Sequence, residues 1–273
     1  MNGIAISLYN KFEELSILVD IVRENWTDEY FISVCSNHPN GKQEIEKRNI
    51  NIDSYLQGSS INFDPTAMTG VRNQVNNICR VYDTIKKSSE PAFRSPDVNY
   101  VMHVHADAWP LSEAKYKNII SKMKDMDKPV AVKGPGLGYR KEFPIGYIMD
   151  QFFVVDSVYA KKIDLFEHNP LELLPDRGIH TAWLLILLGK VGWSNVYHYS
   201  DQTEQTDWDD NKNAPVRPMM YNPRWELLHL ARADFVEDLG KKLQAKYLVD
   251  HNLTEGRNID EFLEKYFYGE EPI

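Results

Sequence analysis

The first hundred residues alternate short apolar runs with longer stretches of amphipathic spacing. Residues 4–8 form a short run with β-branched side chains, which predicts a strand. Apolar positions then recur every three or four residues over 12–26, which predicts a helix, and a second strand is predicted at 30–35, before the turn-forming cluster at 36–41. Because parallel strands need a crossover connection, this order predicts a βαβ unit.

The same alternation continues through the middle of the chain. Residues 43–65 carry weaker signals, with a short strand expected at 49–55. The clearer elements are helices at 71–85, 114–126 and 181–188, and strands at 99–104, 129–133, 148–155 and 195–199. Strands that alternate with helices of this length are typical of a sheet covered on both faces. The sequence therefore predicts an α/β fold with a mostly parallel, Rossmann-type sheet flanked by helices.

The pattern changes after residue 200. Residues 201–220 are polar and acidic and end in prolines, which predicts an exposed loop or linker. Beyond it, Trp225, Leu228 and Phe235 share one face of an expected helix. We therefore expect an α/β domain at 1–200, a linker at 201–220 and a helical extension at 221–273. The apolar face of that extension must be covered, by the first domain or by a second copy in a homodimer.

Composition narrows the class of protein. Of 273 residues, 42% are hydrophobic and 26% charged, which excludes disordered and collagen-like chains. A net charge of −9 argues against broad contact with nucleic acid or an anionic membrane. Only Cys35 and Cys79 occur, too few for a disulfide framework, and the longest apolar run is too short to span a membrane. No basic segment followed by an apolar stretch opens the chain, so we expect a cytoplasmic protein.

Polar residues follow the predicted strands, at the edge where open parallel sheets bind ligands. They are Ser7, Tyr9 and Asn10 after the first strand, Asn37 after the second, and His105 and Asp107 after the strand at 99–104. The alternative is that all of them are ordinary turn residues without a role in binding. If that strand continues to Asp107, then His103, His105 and Asp107 share one face, and their imidazole and carboxylate groups can ligate a divalent metal. Hydrogen-bonded structural histidines are the alternative.

Three segments resemble the GT-A fold glycosyltransferases. Residues 98–111 resemble the strand, acidic motif and proline of that family, whose pattern is Asp-x-Asp, with His105 at the first acidic position. Residues 6–11 resemble the family's first strand, whose tip holds the nucleotide base. The sequence Gly-Val-Arg-Asn at 70–73 is similar to the Gly-x-Arg-Asn helix start beside the donor. The order and spacing match over about the first 200 residues, which implies a GT-A-like fold.

The resemblance implies a hexosyltransferase-type enzyme that moves a sugar from a nucleoside-diphosphate sugar to a hydroxyl of a carbohydrate or another acceptor. It implies Mn²⁺ or Mg²⁺ bound by Asp107. His105 would be a further ligand or would form a hydrogen bond to the sugar, and His198 would be a third ligand or a structural histidine. The nucleotide-sugar donor would contact a larger set of residues: Ser7, Tyr9, Asn10, Asn37, Arg72, Asn73, His105 and Asp107. Asp176 is the candidate catalytic base and His180 the second choice, with Asp176 as a helix cap the alternative.

Two other functions remain open. The string from His103 to Asp107 also resembles the His-x-His-x-Asp motif of zinc metallo-β-lactamase-type hydrolases. Those enzymes open with antiparallel hairpins, whereas this chain opens with strand, helix and strand. Trp109 and Pro110 also stand where small glycines usually follow that motif. The second alternative is a noncatalytic protein of the same fold that binds a nucleotide sugar.

Overall fold

The computed structural model describes residues 1–60, 71–110, 112–132, 152–167 and 187–198, with short strands at 204–205, 220–222 and 227–229. The chain opens with strand β1 (Asn2–Leu8), helix α1 (Phe12–Asn25) and strand β2 (Tyr30–Ser36). β1 and β2 pair in parallel. The predicted βαβ unit is therefore confirmed.

A helix that the sequence did not predict overlaps the start of the stretch at 43–65, where the sequence signals are weaker. Helix α2 (Gly41–Lys47) precedes strand β3 (Ser54–Gln57), which begins near the end of the strand expected at 49–55. In α2, Gly41 and Ile45 are the two buried residues. A helix that buries so little has no apolar stripe to reveal it.

The remaining elements of the main sheet and its covering layers follow in order. They are helix α3 (Val71–Arg94), strand β4 (Tyr100–His105), strand β5 (Ala108–Pro110), helix α4 (Glu113–Asp125), strand β6 (Val130–Val132), strand β7 (Phe152–Asp156), helix α5 (Ser157–Lys162) and strand β8 (Val196–His198). A π-helical turn at Leu187–Val191 and a 3₁₀ turn at Trp193–Asn195 precede β8. Of the helix expected at 181–188, the structure describes the last two residues, which lie in the π-helical turn.

The main sheet has seven strands in the order β3-β2-β1-β4-β7-β6-β8. All pairs are parallel except those of β7, which runs antiparallel to β4 and β6. In β1, Ile4 and Ile6 pack into the core layer under α1 and α4, while Ala5 packs into the layer under α3 and α5. All three are fully buried, as expected for a strand covered on both faces. The predicted α/β fold with a mostly parallel sheet is confirmed.

A second, antiparallel sheet joins β5 to later strands. Its order is β5, β11 (Leu227–His229), β10 (Met220–Asn222) and β9 (Glu204–Gln205). The helix predicted through Leu228 is therefore wrong at this point, because the backbone of 227–229 pairs with β5 instead. A three-residue strand is too short for its pattern to be told from a helix. Residues 230–273 lie outside the described residues, and the division into domains stays a prediction.

In the part of the chain that the structure describes, no helix has both the length and the apolar character needed to cross a membrane.

Candidate functional site

A cleft opens at the carboxyl ends of β1, β2 and β4, and we call it the strand-end cleft. Its lining comes from residues 7–9 and Lys11 at the end of β1, Asn37 at the end of β2, residues 105–107 at the end of β4, and three residues of α3, Arg80, Val81 and Thr84. From β1 the chain moves outward through β2 to β3, and β4 then returns to the other side of β1. Ligands of open α/β sheets bind at such reversals of strand order.

The register of the sheet brings the strand ends side by side. Ser7 lies between Cys35 of β2 and His105 of β4. The Ala106 N–H donates to the Ser7 carbonyl at 3.1 Å, so the pairing continues one residue past β4. The fully buried Trp109 donates from its indole Nε1 to the Ala106 carbonyl at 2.9 Å. These bonds fix the turn that carries Asp107 into the cleft.

His103, His105 and Asp107 do not form one set of metal ligands. β4 ends at His105, so Asp107 lies in the following turn and not on a shared strand face. His103 is fully buried, lies 3.1 Å from the Ser7 hydroxyl through Nε2, and stacks on Phe153 at 4.7 Å. Among the residues described, no group of three or more His, Cys, Asp or Glu side chains could hold a metal ion.

His105 and Asp107 both line the cleft, which brings one imidazole and one carboxylate to its wall. Mg²⁺ sites that serve phosphate substrates commonly use one or two carboxylates, because phosphate oxygens and water supply the other ligands. A donor set of this size therefore fits a metal site that is completed by a bound diphosphate. It does not fit a closed zinc site, which needs three or four protein ligands.

An arginine on α3 adds positive charge to the cleft. The Arg80 guanidinium lies over the Tyr9 ring, 4.7 Å from its centroid. The side chain is half-buried, and this burial lowers the pKa of Arg80 from its ordinary value. Arginine nevertheless remains protonated in proteins. Lys11, whose Nζ lies 3.9 Å from Glu14, is the second cation of the lining.

Hydrogen bonds fix which atoms Asn37 can offer to a ligand. Its Nδ2 donates to the Ser59 carbonyl at 3.0 Å and to Asp83 Oδ2 at 3.2 Å. Asp83 also accepts from the Ser59 N–H at 2.6 Å and pairs with Lys87 at 3.0 Å. Because both amide hydrogens are used, the remaining polar atom of Asn37 is the acceptor Oδ1.

The lack of a side chain at residue 58 supports this arrangement. A Cβ at Gly58 would lie 2.4 Å from Asn37 Nδ2, a distance at which the amide would have to move. The Ser36 hydroxyl, next to Asn37 in the chain, donates to the Tyr9 carbonyl at 2.7 Å. His38 packs edge-on against the Tyr9 ring, with ring centroids 5.6 Å apart. The loops after β1 and β2 are thus tied together around the opening.

The structure brings five of the predicted site residues together in the strand-end cleft: Ser7, Tyr9, Asn37, His105 and Asp107. Asn10 is exposed and is not part of the lining. Arg72 and Asn73 lie in the first turn of α3 and His198 ends β8, and for these three the structure describes the backbone alone. Asp176 and His180 lie outside the described residues.

Lys11, Arg80 and Thr84 line the cleft but were not predicted as site residues. Arg80 lies within the helix predicted at 71–85, and it follows no predicted strand. Its place beside the strand ends depends on the length of α3, which continues to Arg94 and not to about residue 85. That length determines which turn of the helix lies beside the strand ends.

Fold and cleft together define an α/β protein with a cleft at the carboxyl edge of its sheet. No protein-family model matches the chain, and neither does any curated protein sequence. The chain is similar to solved structures that include TarS residues 1–349 from S. aureus, with 13% identity, TM-score 0.45, and coverage of 74% of this chain and 59% of that one. It spans 46% of a longer TarS structure.

Two further matches widen the set of similar structures. Mouse xyloside xylosyltransferase 1 matches with 9% identity and TM-score 0.46, over 86% of this chain and 98% of that one. The 4-diphosphocytidyl-2C-methyl-D-erythritol synthase of Anaerococcus prevotii matches with 13% identity and TM-score 0.42, over 74% and 87%. Glycosyltransferases, the class that the sequence resembles, are thus among the similar structures. TM-scores below 0.5 mark a partial likeness of fold.

Proposed function

We propose that the protein is a glycosyltransferase that moves a sugar from a nucleoside-diphosphate sugar to the hydroxyl of a carbohydrate or another acceptor. The observation that carries the proposal is the strand-end cleft. It gathers five residues selected from the sequence as donor contacts, and it adds two cations to them. A nucleoside diphosphate offers the matching chemistry, a base with hydrogen-bonding edges joined to an anionic diphosphate.

The residues divide between the two parts of such a donor. Ser7 and Asn37 lie at the ends of β1 and β2 and present uncharged polar groups, so we assign them to the nucleoside. Asp107 and His105 lie at the end of β4 and are assigned to the diphosphate and the sugar. Arg72 and Asn73 at the start of α3 are proposed as further donor contacts on the sequence resemblance.

Asp107 and His105 would hold a Mn²⁺ or Mg²⁺ ion, with His198 proposed as a third ligand on the sequence resemblance. Such an ion supplies positive charge that offsets the negative charge developing on the departing diphosphate. The role of the protein there is to present one carboxylate and one imidazole from a turn that is fixed by Trp109.

The transfer itself needs a base near the acceptor. The acceptor oxygen bonds to the anomeric carbon, while the bond from that carbon to the diphosphate oxygen breaks and its electron pair leaves with the nucleoside diphosphate. The acceptor proton goes to a carboxylate, for which we propose Asp176, with His180 as the second choice. Asp176→Asn is expected to stop transfer and to leave donor binding unchanged, whereas a helix cap would lose stability instead.

The zinc hydrolase is the weaker alternative. A zinc site built on the string from His103 to Asp107 needs the His103 imidazole as a ligand. That ring is buried, stacked on Phe153 and close to the Ser7 hydroxyl. The noncatalytic binding protein uses the same cleft, and activity alone separates it from the enzyme.

Calorimetric titration tests the proposed site. A nucleoside diphosphate is titrated into the wild type and into Asp107→Asn, with and without Mn²⁺. We expect Mn²⁺ to tighten binding to the wild type about tenfold or more, a difference of about 1.4 kcal/mol, and to leave Asp107→Asn unchanged. Asp125→Asn, an exposed aspartate at the end of α4, is the matched control and should behave as the wild type.

A second assay separates the enzyme from the binding protein. Many transferases hydrolyse their donor slowly when water replaces the acceptor, so release of nucleoside diphosphate from a panel of nucleotide sugars is measured. Release that disappears in Asp107→Asn supports the enzyme. Binding without release from any common nucleotide sugar favours the noncatalytic protein, and tight zinc binding without nucleotide binding favours the hydrolase.

We also propose that the protein works in the cytoplasm. Both cysteines are free thiols, and burial, helped by Asp83, raises the pKa of Cys35 to about 12, which keeps it unreactive. Dimerisation through the segment after residue 221 remains a proposal from the sequence. Light scattering on the full chain, with truncation before Tyr221 as the comparison, tests it.

A further inference from the structure

We infer that Arg80 binds the phosphate groups of the donor directly, so that donor binding has a component that needs no metal ion. The inference rests on the proposed function and extends it to a residue outside the motifs that resemble the family. It starts from the place of Arg80 in the lining of the strand-end cleft, which the sequence did not predict.

The length of α3 places Arg80 at the level of the strand ends. α3 connects β3 to β4, two strands that point the same way, so it runs back from the carboxyl edge of the sheet to the amino edge. From Arg80 to the last residue, Arg94, an α-helix rises about 21 Å. From Asn2 to Leu8, the first and last residues of β1, the strand spans about 20 Å. Arg80 therefore stands beside the end of β1, while Arg72 begins the helix about 12 Å further out.

Stacking orients the guanidinium. Its contact with the Tyr9 ring, at 4.7 Å, engages a flat face, whereas the N–H donors of arginine lie in the plane of the group. Tyr9 is itself fixed by the Ser36 hydroxyl on its carbonyl and by His38 against its ring. Stacking therefore fixes the plane of the guanidinium, and with it the directions in which its N–H groups point, beside the cleft.

The surrounding charges favour an anion beside Arg80. The lining of the cleft contains two cations, Lys11 and Arg80, and one carboxylate, Asp107. The nearby Asp83 is engaged by Lys87, the Ser59 backbone and Asn37. Partial burial reduces the screening of Arg80 by water, so its attraction for an anion is stronger than that of an exposed arginine. A diphosphate carries the charge that this arrangement attracts.

The test measures how much affinity the phosphates add when metal is absent. In chelator, a nucleoside and its diphosphate are titrated separately into the wild type, Arg80→Gln, Arg80→Lys and a control, Arg48→Gln. Arg48 is the matched control because it also lies over an aromatic ring, that of Phe12 at 5.8 Å, but outside the lining of the cleft.

We expect the wild type to bind the diphosphate at least tenfold more tightly than the nucleoside in chelator. Arg80→Gln should lose most of this preference while its affinity for the nucleoside stays within about twofold, and Arg80→Lys should keep part of it because the charge remains without the fork. Arg48→Gln should match the wild type. Thermal melting of each variant shows that it is folded.

The failures of the two proposals are distinguishable. If the wild type prefers the diphosphate and both Arg80 variants retain that preference in full, the inference is overturned and the proposed function stands. If the wild type prefers the diphosphate only when Mn²⁺ is present, the metal-free component does not exist and the inference is again overturned. If the wild type binds no nucleotide with or without metal, the proposed function fails and takes the inference with it.

Discussion

Two clusters of charged and polar side chains lie at opposite ends of the sheet, and the hydrogen bonds of the two clusters have different roles. The Glu113 cluster, formed by Thr27, Asp28, Tyr30, Glu113 and Lys117, lies at the amino end of β2. Glu113 accepts from the Thr27 N–H and hydroxyl at 2.9 and 2.8 Å, from the Asp28 N–H at 2.9 Å and from the Tyr30 hydroxyl at 2.9 Å. The Glu113 carboxylate therefore has a structural role, because it joins α4 to the loop before β2.

In the strand-end cleft, hydrogen bonds and stacking instead orient side chains around an opening. Asp83 and Ser59 hold the Asn37 amide, and Tyr9 holds the Arg80 guanidinium. The comparison shows that clustered charge is not by itself a site. What separates the clusters is the position of the opening, at the carboxyl ends of the strands and at the reversal of strand order.

The largest effect that follows concerns stability at the amino end. The Glu113 carboxylate accepts four hydrogen bonds. Glu113→Gln replaces one of its two oxygens by an NH₂ group, which cannot accept a hydrogen bond and whose hydrogens face the donors. We expect it to lower the free energy of unfolding by roughly 2 kcal/mol, with nucleotide affinity unchanged. Urea unfolding measures this. Glu46→Gln, in an exposed pair with Lys42, is the control and should change stability by less than about 0.5 kcal/mol.

The same cluster predicts how stability depends on pH. Burial opposes the charge of Glu113, but the bonds from Thr27 and Asp28 outweigh it and lower the pKa to about 2 from the ordinary 4.5. A lowered pKa favours the carboxylate in the folded state, so its contribution is full above pH 4.5 and is lost as the pH falls toward 2. The difference in stability between the wild type and Glu113→Gln should therefore shrink over that window. A difference that stays constant from pH 5 to 3 would contradict this assignment.

The smaller effect concerns recognition in the cleft and rests on the proposed function. Asn37→Ala removes the acceptor Oδ1, and we expect the affinity for a nucleoside to fall about tenfold, the value of one hydrogen bond. Asp83→Asn lets the Asn37 amide turn over, so it should reduce the preference between nucleobases more than the overall affinity. Calorimetry with several nucleosides checks both variants. Equal losses for every base in Asp83→Asn would show that Asp83 supports the fold alone.

The sequence predicted the central elements well because each has a simple pattern. β1, β2 and β4 are short apolar runs, and α1 and α4 have a buried stripe of about 3.6-residue period. The antiparallel direction of β7 was not predictable, since an apolar run reads the same in both directions. The small sheet of β5 and β11 depends on pairing across more than a hundred residues, which no local pattern reports.

The sequence predicted those residues of the candidate site that lie at the ends of predicted strands. Ser7, Asn37 and Asp107 were found in that way, because a residue after a parallel strand reaches the carboxyl edge wherever the strand lies. Arg80 comes from the middle of a helix, so its place depends on where α3 ends and how the helix packs across the sheet. That information belongs to the tertiary structure.

The most direct test of the account is a crystal structure of the protein with a nucleoside diphosphate and Mn²⁺. The account predicts the nucleoside beside Ser7 and Asn37, the diphosphate within hydrogen-bond distance of Arg80, and the metal ion on Asp107. A nucleotide bound at any other place on the molecule, or in the cleft with its phosphates turned away from both Arg80 and Asp107, would contradict it.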